Sequence, residues 1–256
     1  TPNATTEGLS ALSPDRQFLT FMGYNADAGT TSLAGSTSAS VNRTVAMFKA
    51  DGTYSTVKFD VFSGQSPRGV VTNDGNNFWI VGAANGMRYG TSAGGTTTPL
   101  FTSLTAFRSV GIFNNEVYFT SSNTGTPVVR IGKVTGTLPT TSTTYTALPG
   151  TPTATIIPHS FVLLDSDNNG TPDLLYVGLD GGLQKYSYDS GTSTWIDRGL
   201  FATTALLKGI TAYLPTGATK AYIYGLEGAG IGNKVVEIVD NAAPTAAISG
   251  TKTDLV

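Results

Sequence analysis

The 256-residue chain has no cysteine, one histidine, and only 12% charged side chains. Without cysteine there are no disulfides, no thiol nucleophiles and no thiolate metal sites. A single imidazole rules out metal centres that need several histidine ligands. The charges are nearly balanced, 15 basic against 17 acidic, and no basic run or basic helix offers a footprint for nucleic acid. No apolar stretch approaches the roughly 18 residues that span a bilayer as a helix, so this segment is not expected to cross a membrane. An initiating methionine and a signal-peptide pattern are also missing: the chain opens at Thr1, which reads as a segment from which upstream sequence has been removed.

Thr, Ser, Gly and Asn supply the polarity, in place of the roughly one-quarter charged residues of an average globular domain. That balance is common in exported bacterial surface proteins. Together with the absent cysteine, it points to a bacterial secreted or cell-surface protein and away from a small eukaryotic secreted module.

Helical periodicity is absent. Apolar residues fall in short alternating or β-branched runs, at 18–24, 45–48, 78–81, 116–119, 174–177 and 220–224, which is a strand signal. The gaps hold Asp51-Gly52, Asp74-Gly75, Asn85-Gly86, Asn169-Gly170 and Asp180-Gly181, pairs that supply the positive φ angles of tight hairpins. Successive hairpins make antiparallel meanders.

A polar residue, then Gly or Ser, then a bulky apolar residue recurs as Glu7-Gly8-Leu9, Arg68-Gly69-Val70, Arg108-Ser109-Val110, His159-Ser160-Phe161 and Lys208-Gly209-Ile210. The intervals, about 40 to 60 residues, suit the 40–50 residues of a four-stranded propeller blade; a polar insert at 25–40 lengthens the first. The expected fold is all-β, a β-propeller of about five to seven four-stranded antiparallel blades over residues 1–240. A β-sandwich or another multi-sheet repeat is the alternative. Leu9, Val70, Val110, Phe161 and Ile210 are expected on innermost strands. After Asp240, Pro244 is expected to end the last blade and to open a linker, 241–256, into a following Ig-like domain.

The stretches Glu7-Gly8-Leu9-Ser10-Ala11-Leu12-Ser13-Pro14-Asp15 with Phe18-Leu19-Thr20-Phe21-Met22-Gly23-Tyr24, Asn73-Asp74-Gly75-Asn76-Asn77-Phe78-Trp79, and Gly182-Leu183-Gln184-Lys185-Tyr186-Ser187 resemble the propeller region of large secreted bacterial surface proteins of uncharacterised function. The resemblance spans most of residues 7–240. It implies a propeller fold and export, and carries no established activity. It also implies N-terminal strands ahead of this opening, so the last blade is expected to lack its outer strand or to borrow one.

The strongest chemical motif is Asp165-Ser166-Asp167-Asn168-Asn169-Gly170-Thr171-Pro172-Asp173. Side-chain oxygens stand at loop positions one, three, five and nine, a glycine at six, and Thr171 at seven can offer its carbonyl, which is the spacing of a calcium loop. Strand patterns flank it, so it is no EF-hand and resembles the loops of integrin-α-type propellers. That resemblance makes Asp165, Asp167, Asn169, Thr171 and Asp173 candidate ligands for one Ca2+ that stiffens a blade. An acidic turn without metal is the plainer alternative.

Other motifs are weaker. Gly90-Thr91-Ser92-Ala93-Gly94 fits G-x-S-x-G, but a nucleophile elbow needs a following helix and Gly95-Thr96-Thr97-Thr98-Pro99 comes next. Gly228-Ala229-Gly230-Ile231-Gly232 lacks the βαβ frame of a dinucleotide loop. Two carboxylates would suffice for a glycosidase, yet Glu7, Glu116, Glu227 and Glu237 form no motif. Trp79 and Trp195 are expected to pack between blades. The blade-start residues Glu7, Arg68, Arg108, His159 and Lys208 form a candidate ligand site, a mostly basic ring at a channel mouth that attracts anions; the plainer alternative is that they stitch neighbouring strands together. The reading is a non-enzymatic extracellular binding, adhesion or scaffold module whose partner is a glycan or a protein. A calcium-dependent carbohydrate-binding propeller is the alternative and a secreted hydrolase the third option.

Overall fold

A computed structural model describes residues 6–126, 128–152, 156–228 and 232–256. Among them the chain is almost wholly β-structure; the one helical element described is a 3-10 turn, Leu33–Gly35. Two compact units divide the chain, Thr1–Thr146 and Ala147–Val256.

The first unit holds three sheets. Strands β1 (Ala11–Leu12), β2 (Phe18–Tyr24), β3 (Arg43–Lys49) and β4 (Tyr54–Asp60) form an antiparallel meander. The second sheet begins with β5 (Pro67–Thr72), β6 (Asn77–Gly82) and β7 (Met87–Thr91). The chain then contributes β8 (Gly95–Thr96) to the first sheet, parallel to β4, and returns as β9 (Thr98–Phe101) beside β7. The third sheet is β10 (Phe107–Phe113), β11 (Glu116–Ser121), β12 (Ile131–Val134) and β13 (Tyr145–Ala147). In the second unit lie a sheet of β14 (Pro158–Leu164), β15 (Leu174–Leu179), β16 (Gly182–Asp189) and β17 (Thr194–Ala202), and a sheet of β18 (Leu207–Tyr213), β19 (Ala221–Glu227), β20 (Lys234–Asp240) and β21 (Gly250–Asp254).

Hairpin chemistry sets the register. At Asp51-Gly52 the carboxylate accepts the Thr53 amide at 2.9 Å and Gly52 takes φ +84°, so the turn closes β3 onto β4 without strain. Alternation then decides which side of each strand is buried. Met22, Val45, Met47, Val57 and Phe59 of the first sheet pack on Val70, Phe78 and Ile80 of the second. Phe59 and Phe78, fully buried, meet edge to face at 6.2 Å; burying such a ring contributes roughly 1.5–3 kcal/mol. The other face of the second sheet carries Trp79, whose indole N–H donates to the Pro139 carbonyl ahead of β13. In the second unit Leu174, Tyr176 and Leu183 pack on Ile223, Val236 and Ile238. Within each unit, therefore, one face of a sheet packs on the opposing face of the next.

The recurring polar–small–apolar triplet has a local cause. β5, β10, β14 and β18 each carry a register shift against the second strand of their sheet: between Pro67 and Gly69, Phe107 and Ser109, Pro158 and Ser160, and Leu207 and Ile210. Arg68, Arg108 and His159, and Lys208 with Gly209, are the extra residues of these bulges. A bulge raises the local twist and re-aims the side chain. The small residue follows because first strands approach closely: a Cβ on Gly69 would lie 3.2 Å from Val81 and 3.6 Å from the Ser109 Cα. Val70, Val110, Phe161 and Ile210 lie on these first strands. Leu9 does not; it precedes β1.

Residues 241–256, expected as a linker, supply the outer strand of the last sheet. β21 pairs antiparallel with β20, Val239 opposite Thr251. The reversal is pinned by Asp240, whose carboxylate accepts the Ala242 and Ser249 amides at 3.0 and 3.2 Å. Pro244 thus ends a strand inside a turn, and the last sheet is four-stranded without a borrowed element.

Candidate ligand site at the bulged strand starts

In the first unit, β5 and β10 lie side by side and their bulges bring Arg68 and Arg108 together. The Arg68 Nη1 donates to the Phe107 carbonyl at 2.9 Å, on the neighbouring first strand. Its Nε is buried without a partner among the described residues. Arg108 donates through Nε to the Ser122 hydroxyl at 3.1 Å. Burial lowers the Arg68 pKa to about 10, with the adjacent Arg108 charge acting in the same direction and Glu7 opposing both. Glu7 is the nearby counter-charge, and one of its oxygens accepts the Tyr24 hydroxyl at 2.8 Å. Burial, with the bond and charge of Glu7, pushes Tyr24 up to about 12. The Tyr24 ring lies 5.2 Å from the guanidinium of Arg43, a fully buried cation that donates to the carbonyls of Ala34, Ser36, Val41 and Gln65. This ties the polar insert to the first sheet.

The other two blade-start residues belong to the second unit. The Nε2 of His159 lies 2.6 Å from Asp180 Oδ1, and Lys208 sits in the bulge of β18. Thus Glu7, Arg68 and Arg108 share one neighbourhood, and His159 and Lys208 are described with the other unit.

Asp165, Asp167, Asn169, Thr171 and Asp173 share one hairpin loop between β14 and β15. Asp165 and Asp167 converge on the Asn169 amide at 3.1 and 3.2 Å. Asn169 Oδ1 accepts the amide and hydroxyl of Thr171. Asp173 turns to Ser166 instead, taking its amide at 2.6 Å and its hydroxyl at 2.5 Å. Two of the three carboxylates converge, and no group of three acidic or histidine side chains among the described residues is placed to hold a metal ion.

The Ser92 hydroxyl donates to Asn76 Oδ1 at 3.2 Å beyond the end of β7, with β8 and no helix after it. The stretch 228–232 falls partly outside the described residues, at 229–231. Glu116 bonds Lys133 and Tyr118. Glu227 bonds Lys252 and Thr204, and Glu237 accepts from Tyr224. Glu227 and Glu237 point to opposite faces of their sheet, since Tyr224 opposes Glu237 and Lys234 opposes Glu227. That parity keeps them from acting as a glycosidase pair. Trp79 and Trp195 are both buried and offer no platform for a sugar.

Sequence reasoning missed two buried charges in the second unit. Lys185, on β16 opposite Tyr176, pairs with Asp240 at 2.6 Å, and both are fully buried. Its setting, Leu183-Gln184-Lys185-Tyr186, reads as an ordinary alternating strand and gave no sign of the pair. It also missed a groove at the turns of the first two sheets, lined by Asp15, Phe18, Lys49, Asp51, Asn73 and Asp74.

Solved structures show what this arrangement of sheets is. No family model matches the chain, and no curated protein matches it by sequence. Hydrazine synthase of Kuenenia stuttgartiensis superposes at TM-score 0.58 with 13% identity, over 98% of this chain and 66% of that one. The Dos1 propeller superposes at 0.56 with 10% identity, over 97% of this chain and 63% of its own. The fold is a β-propeller. An auxiliary nutrient binding protein from Bacteroides thetaiotaomicron matches at 0.51 with 12% identity, over 96% of this chain and 57% of that chain. This chain thus spans about two thirds or less of these three proteins, and the five sheets among the described residues are propeller blades and not the two layers of a sandwich. No helix among the described residues is long and apolar enough to cross a membrane.

Proposed function

We propose that this chain is a non-catalytic, extracellular ligand-binding propeller, and that the Arg68–Arg108 pair on the adjacent bulges of β5 and β10 takes an anionic group. The observation that carries the reading is the juxtaposition itself. Two guanidinium groups are held close enough to repel, one with a buried N–H unused, and guanidinium forks suit carboxylate and phosphate oxygens. Three further features support binding over catalysis. Ser92 lacks its elbow, the single histidine is taken up by Asp180, and the glutamates are engaged in ion pairs or hydrogen bonds. The proteins it resembles include an enzyme and a nutrient-binding protein by name, so fold alone does not choose between them. The sparse charge and absent cysteine support an exported setting.

Calorimetric titration with inorganic phosphate and with a tricarboxylate at neutral pH and low salt tests the site. Arg68→Met and Arg108→Met should each weaken binding by about tenfold to a hundredfold, the worth of a charged hydrogen bond. Glu7→Gln should tighten it by removing the competing anion. Unchanged affinity in Arg68→Met, or no binding of either anion, would overturn the assignment and leave Arg68 as a stitch between strands. Calcium at the 165–173 loop is a separate proposal, supported by the oxygen-rich spacing; it requires Asp173 to exchange Ser166 for the ion.

A further inference from the structure

Two sheets of the first unit carry an arginine at the same place. Arg43 opens β3 and stands opposite Tyr24. Arg130 directly precedes β12, and its carbonyl accepts the Ser121 amide at 2.9 Å, which continues the β11–β12 register. Both β3 and β12 are the third strand of their sheet.

The surroundings of the two side chains differ. Arg43 is fully buried and satisfied by planar oxygens: the carbonyls of Ala34, Ser36 and Val41 return from the connection at 25–42, and Gln65 adds a fourth. Arg130 is also more than nine-tenths buried, at 7% exposure. Yet neither its Nε nor its Nη1 has an acceptor among the described residues, and no described ion pair reaches it. The sequence explains the contrast. The connection at 122–130 is shorter than that at 25–42 and sends no carbonyl back. Ser121 takes the place of Tyr24, and its hydroxyl is already used, donating to the Thr105 carbonyl at 3.0 Å and accepting the Asn123 amide at 2.9 Å. The flanking residues Val129 and Ile131 are buried and apolar. A cation enclosed in this way loses hydration and recovers little from its neighbours.

We propose that Arg130 binds the carboxylate of a small ligand, at a site separate from the Arg68–Arg108 pair. Arg43 shows that an arginine in this position is satisfied by sp2 oxygens. A carboxylate supplies two of them in the plane of the guanidinium, together with the opposite charge that backbone carbonyls lack. The apolar setting strengthens the attraction, and burial limits the anion to formate, acetate or a carboxylate at the tip of a longer molecule. Separation from the other pair follows from register. Ser121 is opposite Phe107 on β10, whose carbonyl receives Arg68, so Arg130 lies two strands outward from that contact, about 10 Å across the sheet.

Titration of 15N-labelled protein with sodium formate in a zwitterionic buffer, followed at the arginine side-chain Nε–H resonances, tests this. The Arg130 signal is the one missing in Arg130→Lys. It should shift saturably at millimolar formate, and chloride, which lacks paired oxygens, should need about tenfold more. Arg68→Met/Arg108→Met should leave the curve unchanged, which tells failure of this site from failure of the other. Without formate, Arg130→Met should melt no lower than the wild type, because no buried charge is left unpaired; formate should then raise the melting temperature of the wild type alone. A resonance that stays still or drifts without saturating, an equal response to chloride, or stabilisation by formate that persists in Arg130→Met overturns the proposal. A curve abolished by Arg68→Met/Arg108→Met overturns the separate site. An Arg130→Met variant that melts well below the wild type without formate shows that protein groups already satisfy the guanidinium, and overturns the proposal as well.

Discussion

Lys185 and Asp240 offer the sharpest test of how the second unit is held. The Lys185 ammonium contacts Asp240 Oδ2 at 2.6 Å and the Ala243 carbonyl at 2.9 Å. The same Oδ2 accepts the Tyr176 hydroxyl at 2.7 Å, and Oδ1 accepts two backbone amides. The ion pair therefore joins β15 and β16 of one blade to β20 of the next and to the turn that delivers β21. At an effective dielectric of about 20, charges about 4 Å apart attract by ~4 kcal/mol, and removing one partner of a buried pair costs about 3–5 kcal/mol. Asp240→Asn and Lys185→Met should each destabilise the second unit by that amount. Combining the two substitutions should cost no more than about 2 kcal/mol, because the introduced amide keeps an oxygen for the Ala242 and Ser249 N–H groups and no charge is left buried. Urea unfolding followed by Trp195 fluorescence in a Trp79→Phe background reports this unit alone, since Trp195 is its only tryptophan. Single variants costing under about 1 kcal/mol, or single costs that simply add in the double variant, would refute the reasoning.

Four further outcomes are expected. Gly86→Ala should cost about 3 kcal/mol or more in thermal unfolding, because φ is +73° and its Cβ would lie 1.8 Å from the Phe101 carbonyl oxygen, while Gly217→Ala, at φ +74° in open space, should cost only the roughly 1–2 kcal/mol of the left-handed backbone. Melting temperature should hold from neutral pH to about 5 and fall below about 4.5: burial pushes Glu116, Glu227 and Asp74 up, but hydrogen bonds, and for the two glutamates a lysine, hold all three below their ordinary values, so the stability they contribute is present above the unfolded values and lost as pH drops through the folded ones. In alkali the sign reverses for Tyr24: its raised value makes stability fall as pH climbs towards about 12, because the folded state keeps a proton that the unfolded chain releases. Titration of chelator-treated protein with calcium should show one site that disappears in Asp167→Ala and a melting temperature that rises with the ion; heat and melting curves that match the variant would end the calcium reading.

Local chemistry made the blades legible in advance. Period-two alternation and Asp-Gly or Asn-Gly turns act within a few residues, so the strands at 18–24 and 174–177 and the hairpin at Asp51-Gly52 could be read directly. The polar–small–apolar triplet was legible for the same reason, since a bulge is a local event; that its polar member is the bulged residue came only from pairing Gly69 with Val81 and Ser109 with Thr120. Residues 241–256 were misread because Pro244 speaks for a break, while the return to β20 depends on a carboxylate that binds the amides of both Ala242 and Ser249. Arg68 beside Arg108, Lys185 on Asp240, and Asp173 turned to Ser166 likewise came from contacts distant in sequence or fixed by the folded loop. Charge pairing across strands depends on register, which no single segment carries. Strands, turns and the repeat are short-range features and could be written down from the residues alone; which charges meet depends on how the sheets pack.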